Sequence, residues 1–216
     1  YVNAGQTCVA PDYVLVDEAV HDRFVDGLRK AVRSFYGGDP ASSDDYGRIV
    51  NSKHHARLTA LLDLGGFEEI ALGGDGDPAS RYLAPTVLTG VKPDAAVMDD
   101  EIFGLILPVL TYSDLDEALA FVNERPKPLA LYVFAGKDAQ VDRVVSHTTA
   151  GGVTVNHTLL HLAVADLPFG GVGASGMGAY HGEAGFRIFS HAKPVLSRPT
   201  KPDPSLAYPP YTSLKQ

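Results

Sequence analysis

The sequence predicts an α/β fold, a largely parallel sheet with helices on both faces. Three observations carry that prediction. Short aliphatic and β-branched runs alternate along the chain with stretches of helical period, the order in which a parallel sheet and its crossover helices are laid down. The run from Leu129 to Phe134 is apolar without interruption, as in strands covered on both faces. Paired glycines at Gly37-Gly38 and Gly65-Gly66 close two of the helical stretches. A chain of 216 residues that is 45% hydrophobic can bury one substantial core or somewhat more.

Taken in order, Tyr13 to Val16 has the pattern of a short buried strand ending at Asp17 and Glu18. Phe24, Val25, Leu28, Val32 and Phe35 then recur at helical spacing between charged residues, which predicts an amphipathic helix from His21 to Phe35. After a polar loop from Asp39 to Asp45, Ile49, Val50, His54, Leu58, Leu61 and Leu62 predict a second helix over Tyr46 to Leu64. Strands are expected at Glu69 to Leu72, Tyr82 to Leu88 and Ile106 to Tyr112, with a Gly/Asp turn at Gly73 to Asp77. Asp114 with Glu117 three residues on has capping-box spacing, and Leu115, Ala118, Leu119 and Val122 form the apolar face of the helix that follows. Pro126 and Pro128 end it. The apolar run from Leu129, a helix through Val141, Val144 and Val145, and a strand at Gly152 to Asn156 complete the alternation.

From Leu167 the composition changes. Six glycines among the sixteen residues from Leu167 to Gly182 are too many for a stable regular element. Gly171-Val172-Gly173-Ala174-Ser175-Gly176 spells the dinucleotide-binding fingerprint, but that motif must leave a strand and open a helix, whereas Pro168 precedes it and no amphipathic run follows. The glycines are read instead as allowing tight turns and close approach to another backbone or to a substrate. Phe186 to His191 reads as a short strand, and Pro194 to Pro210, with six prolines, as an extended tail that must lie on something else to be ordered.

Composition narrows the function. A net charge of −8 without clustered Lys and Arg argues against a nucleic-acid surface. One cysteine permits no internal disulfide, and no apolar run reaches the roughly 18 residues that a membrane-spanning helix needs. Together these favour a cytoplasmic protein without a membrane partner. His157 and His161 lack an evident third ligand, so no metal site is expected.

The one cysteine, Cys8, is either a small hydrophobe in the packing or a nucleophile. Gly5 ahead of it, with Gln6 and Thr7 as its polar neighbours and no apolar stripe, describes an approachable backbone. In a short helix or turn whose N–H groups point at the sulfur, the thiolate is favoured, and the same donors can hold an oxyanion formed when it attacks a carbonyl.

The run Asn3 to Pro11 resembles the catalytic-cysteine segment of the aldehyde dehydrogenase superfamily, and Gln6 to Tyr13 is similar to its class 3 branch of fatty-aldehyde and coniferyl-aldehyde enzymes. Met98 to Gly104 with Leu107-Pro108-Val109 resembles the family's Glu-Ile-Phe-Gly-Pro stretch, departing from it at Leu105, where proline is usual. Arg125 to Phe134, Asn156 with His161, the Leu167 to Gly182 loop and Phe189-Ser190-His191 are similar to class 3 members in order and wording, so the likeness spans nearly the whole chain.

The resemblance implies that Cys8 attacks the aldehyde carbon to give a thiohemiacetal, that hydride passes to the nicotinamide of NAD or NADP, and that water hydrolyses the resulting thioester. It implies that Glu101 holds the hydroxyls of the nicotinamide ribose with Phe103 packed beside it, and that Asn156, His161 and Phe169 lie near the substrate tunnel, a core role being equally open for those three. His181 and His191 read as structural. It further implies medium-chain aliphatic or aromatic aldehydes as substrates and a homodimer. Residues 1–182 are the expected catalytic domain, and 183–216 an extended segment, a possible oligomerisation arm. The family's dinucleotide-binding domain, oxyanion-hole asparagine and general-base glutamate precede its cysteine, and the seven residues before Cys8 hold none of them. The expectation is a catalytic half that cannot oxidise an aldehyde alone. A thiol-dependent esterase or thioesterase, and a non-catalytic module pairing with a full-length subunit, are the alternatives.

Overall fold

The computed structural model describes residues 1–202 and 208–210. Its centre is a four-stranded sheet assembled from β1 (Val14–Asp17), β2 (Glu69–Leu72), β5 (Thr86–Thr89) and β6 (Ile106–Tyr112), in the order β1-β6-β5-β2. Between β2 and β5 lie the two short strands β3 (Gly76–Asp77) and β4 (Tyr82–Leu83), which pair with each other. β1 and β5 run parallel to β6, with Val14 opposite Val109 and Thr86 opposite Ile106, and β2 closes the edge antiparallel to β5.

Alternation along the strands sends their side chains to two cores. On one face Val16, Val87 and Val109 pack against Phe24 and Leu28 of α1 (His21–Tyr36). On the other, Leu88, Ile106 and Leu110 meet Leu58 of α2 (Ser52–Leu64) and Phe121 of α3 (Leu115–Asn123), joined by Tyr46, Ile49, Val97, Ile102 and Leu105. The sheet is largely parallel with helices on both faces, as the alternation predicted.

A second, two-stranded parallel sheet follows, β7 (Ala130–Val133) paired with β8 (Gly152–Val155) across α4 (Asp138–His147). Only Val133 of β7 is buried, so the apolar run read as covered on both faces is half-exposed in this chain. The glycine loop is closed at its base by reciprocal backbone hydrogen bonds between Phe169 and Tyr180. A Cβ on Gly170 would stand 2.1 Å from the Gly178 carbonyl oxygen, and one on Gly171 2.1 Å from that of Ser175. The loop therefore folds tightly on its own backbone. Its fingerprint spelling opens no helix; Gly173–Ser175 is a single 3-10 turn.

Three elements differ from the sequence reading, each for a local reason. The second helix begins at Ser52, because the Asn51 side chain accepts the His54 N–H and sets the cap there. Tyr46 and Ile49 reach the core from irregular backbone, with the Tyr46 hydroxyl on the Leu83 carbonyl and the Ile49 N–H on that of Arg81. The strand expected over Tyr82 to Leu88 is two strands in different sheets, parted at Pro85, which has no N–H to give a ladder. Phe186 to Ile188 belong to a helix, α5 (Gly182–Ile188), not a strand. Glu183 and Arg187, four apart, are ion-paired at 2.6 Å on its surface, a spacing that only a helix brings together. Residues 189–202 carry no helix or strand and are exposed, and the tail at 203–207 and 211–216 lies outside the described residues.

The expected cap at Asp114 forms, its carboxylate accepting the Glu117 N–H at 3.0 Å. Glu117 reaches back one residue further than a capping box does, to the Ser113 N–H at 2.9 Å. Leu105, where the sequence departs from the family's usual proline, is fully buried and accepts the Thr86 N–H at 2.9 Å. No helix among the described residues is long and apolar enough to cross a membrane.

Candidate active site

Cys8 is exposed at the tip of a turn closed by the Ala10 N–H on the Thr7 carbonyl at 2.9 Å, with Val9 beside it fully buried. The chain enters this turn through three successive residues in the left-handed region, Asn3, Ala4 and Gly5, at φ 54, 56 and 70°. For Asn and Ala that geometry costs roughly 1–3 kcal/mol each and persists only where the surroundings over-determine it. Gln6 supplies part of the constraint. Its amide nitrogen donates to the carbonyls of Asn3 and Arg48, and its oxygen accepts the Val50 N–H at 2.8 Å.

The rest comes from the stretch leading into β6. Gly5 lies so close to Gly104 that a Cβ on Gly5 would stand 1.9 Å from the Gly104 carbonyl oxygen, and Gly104 in turn is pressed against the Leu58 side chain. Four residues past Cys8, the Asp12 carboxylate accepts the Ile102 N–H at 2.8 Å, while Arg57 of α2 donates to the Ile102 carbonyl at 2.5 Å. One peptide segment is thus gripped from both sides, and its neighbours Glu101 and Phe103 are held at the surface. Gly5, Thr7, Asp12, Glu101, Phe103 and Gly104 line a common small cleft.

Burial pushes the Asp12 carboxyl above the usual carboxylate range against the pull of its Ile102 hydrogen bond and of Arg57. Glu101 is raised as well, first by partial desolvation and then by the Asp12 charge, with Arg57 opposing. Phe103 adopts φ 49°, a strained value for a bulky residue, and the residue is 42% exposed. An exposed carboxylate, able to accept from two hydroxyls, beside an exposed ring fits a sugar carrying two vicinal hydroxyls.

The remaining predicted residues follow the second sheet in the chain. Asn156, exposed at the end of β8, accepts the Ala135 N–H at 2.9 Å and donates to the Ala135 carbonyl at 3.2 Å, so its amide ties the ends of β7 and β8 together. His161 is buried, with Nδ1 2.8 Å from the Thr154 hydroxyl and Nε2 without a hydrogen-bond partner. Its ring lies between Tyr132 and Phe169, at centroid separations of 6.0 and 5.9 Å. Phe169 stacks on His181 at 5.7 Å. Asp12, Arg57 and Tyr132 are residues that sequence reasoning passed over. Asp12 stands within the cysteine motif, but the partners that give it a role are far away in sequence.

Burial holds the His161 imidazole below its ordinary value of ~6.5. The unfolded chain then takes up that proton at higher pH than the folded one does. His161 therefore contributes stability that is complete above ~6.5 and is lost as pH falls through its lowered folded value. Thermal unfolding of His161→Asn beside the parent is expected to show a difference in midpoint that moves in the variant's favour as pH is lowered from about 7 to 5. A difference independent of pH would show that His161 is not the group responsible.

Residues 1–195 match the aldehyde dehydrogenase family. Over 98% of its length the chain is 51% identical to a 4,4'-diaponeurosporen-aldehyde dehydrogenase of Staphylococcus aureus, covering 46% of that protein. It is 48% identical over its full length to the mouse aldehyde dehydrogenase family 3 member A2, covering 44% of it. Among solved structures, a Staphylococcus aureus AldH in its substrate-bound state superposes with a TM-score of 0.89 at 50% identity, covering 96% of this chain and 45% of that one. The chain spans less than half the length of these relatives.

Proposed function

The chain belongs to the aldehyde dehydrogenase family, and from that premise we propose that it carries the thiol half of an NAD- or NADP-dependent oxidation of aldehydes to carboxylic acids. The observation that supports this most directly is the contact of Gly5 with Gly104, which brings Thr7 and Ala10, the turn residues on either side of Cys8 and Val9, to one cleft with Glu101 and Phe103. In this reading the substrates are medium-chain aliphatic or aromatic aldehydes and the assembly is a homodimer; a canine relative is named as a dimeric, NADP-preferring aldehyde dehydrogenase.

In this reading the Cys8 thiolate attacks the carbonyl carbon, and the electron pair moves to the carbonyl oxygen, which accepts a hydrogen bond from the Cys8 backbone N–H. When bound, the oxidised dinucleotide supplies the hydride acceptor. Glu101 accepts the two ribose hydroxyls, its carboxylate held at the surface by the grip on Ile102, and the Phe103 ring packs beside the sugar. Asn156, His161 and Phe169 border the aldehyde's approach. Residues 1–182 form the catalytic unit and the segment after them serves association between subunits.

The test uses the 216-residue chain alone. Given aldehyde and NAD it is expected to form no NADH, while an activated ester transfers one acyl group to Cys8 with release of its phenolate. NADH formation by this chain would overturn the division of labour, and absence of the acyl adduct at Cys8 by mass spectrometry would overturn the assignment of the nucleophile.

A further inference from the structure

The Cys8 turn is held on its second side by a residue that neither the motif nor the family likeness singled out. Tyr132 of β7, 123 residues away, donates its hydroxyl to the Val9 carbonyl at 2.6 Å. This is the carbonyl one residue past Cys8, on the buried side of the turn. A carbonyl in that position needs a partner, and the Thr7–Ala10 turn uses only the Thr7 oxygen and the Ala10 N–H. Tyr132 is itself constrained. Its ring packs on His161, whose orientation is set by the Thr154 hydroxyl and whose far side meets Phe169. A column of rings therefore runs from the glycine loop to the backbone that presents the sulfur.

We propose that Tyr132 is a positioning residue for the nucleophile: through its hydrogen bond to Val9 it fixes the turn so that the Cys8 N–H faces the oxygen of the carbonyl under attack, and His161 acts by holding the Tyr132 ring. The inference rests on Cys8 being the nucleophile. Burial, and then a negative charge on Cys8, raise the Tyr132 phenol above its ordinary range against the Leu159 amide, so the hydroxyl keeps the proton it donates.

Two reactions of the same sulfur separate positioning from general structure. Alkylation by iodoacetamide needs only a reachable thiolate. Acylation by p-nitrophenyl acetate also develops an oxyanion and so needs the turn's N–H in place. In Tyr132→Phe, which keeps the ring, acylation is expected to slow by about tenfold, the order of one lost positioning hydrogen bond, with alkylation changed by less than about threefold. Thr154→Val, which releases His161, is expected to lower the same ratio by a smaller factor and serves if the first variant folds poorly. Unchanged rates in both variants would overturn the proposal, as would parallel loss of both reactions together with a lowered melting temperature. A parent chain that is alkylated but never acylated at Cys8 would instead refute the nucleophile assignment, and this inference with it.

Discussion

Cys8→Ala is expected to abolish acyl transfer from an activated ester to this chain, lowering the rate by at least ~10³-fold, as for loss of the covalent nucleophile elsewhere. Cys8 is the only thiol in 216 residues, so no other sulfur can take its place. The side chain is exposed at a turn tip, hence its removal leaves no cavity and the melting temperature should hold within a degree or so. Cys8→Ser, with nearly the same shape but an oxygen far less ionised at neutral pH, should lose almost as much. Stopped-flow release of p-nitrophenolate and a mass measurement of the intact chain read both effects. Should Cys8→Ala retain a tenth of the parent burst, the chemistry lies on another residue and the functional reading fails.

Gly5→Ala has the largest expected effect on stability. The added methyl would stand 1.9 Å from the Gly104 carbonyl oxygen, a backbone atom that cannot swing aside, and the residue would keep a φ of +70°. Left-handed backbone costs an L-residue about 1–2 kcal/mol and overpacking a further 1–3, so a loss of roughly 2–5 kcal/mol is expected. For a domain of this size that lowers the melting temperature by on the order of 10 °C. Acylation of Cys8 should slow as well, because the displaced atoms are those that seat its turn against Gly104. Gly27, within α1, is the control: nothing lies within 4 Å of a Cβ there. Gly27→Ala should be neutral or stabilising by about 0.5–1 kcal/mol through helix propensity. Equal melting temperatures for the two alanine variants would refute the close contact.

Much of the fold could be read from the sequence, and the elements show which parts. α1 and β6 were legible because their apolar spacing alone states both element type and buried face. Asp114 was legible because a cap is made within four residues. Tyr46 and Ile49 misled the helix assignment because they are buried by distant partners, at Leu83 and Arg81, while Asn51 between them and the helix sets its start. Phe186, Ile188 and Phe189 misled the strand assignment, because three apolar residues around Arg187 state burial preference but not period.

At the site, the sequence by itself determined which side chain is the candidate nucleophile, the likeness of its motif, and the expectation that Glu101 and Phe103 lie with it. What only the tertiary structure decided is how they are held: Asp12 on the Ile102 N–H and Arg57 on the Ile102 carbonyl, Gly5 against Gly104, and Tyr132 on the Val9 carbonyl. The physical reason is one of range. Periodicity, capping and thiol chemistry act within a few residues and leave a local imprint, whereas these hydrogen bonds and steric contacts join atoms 45 to 123 residues apart, and nothing in the wording of either partner names the other.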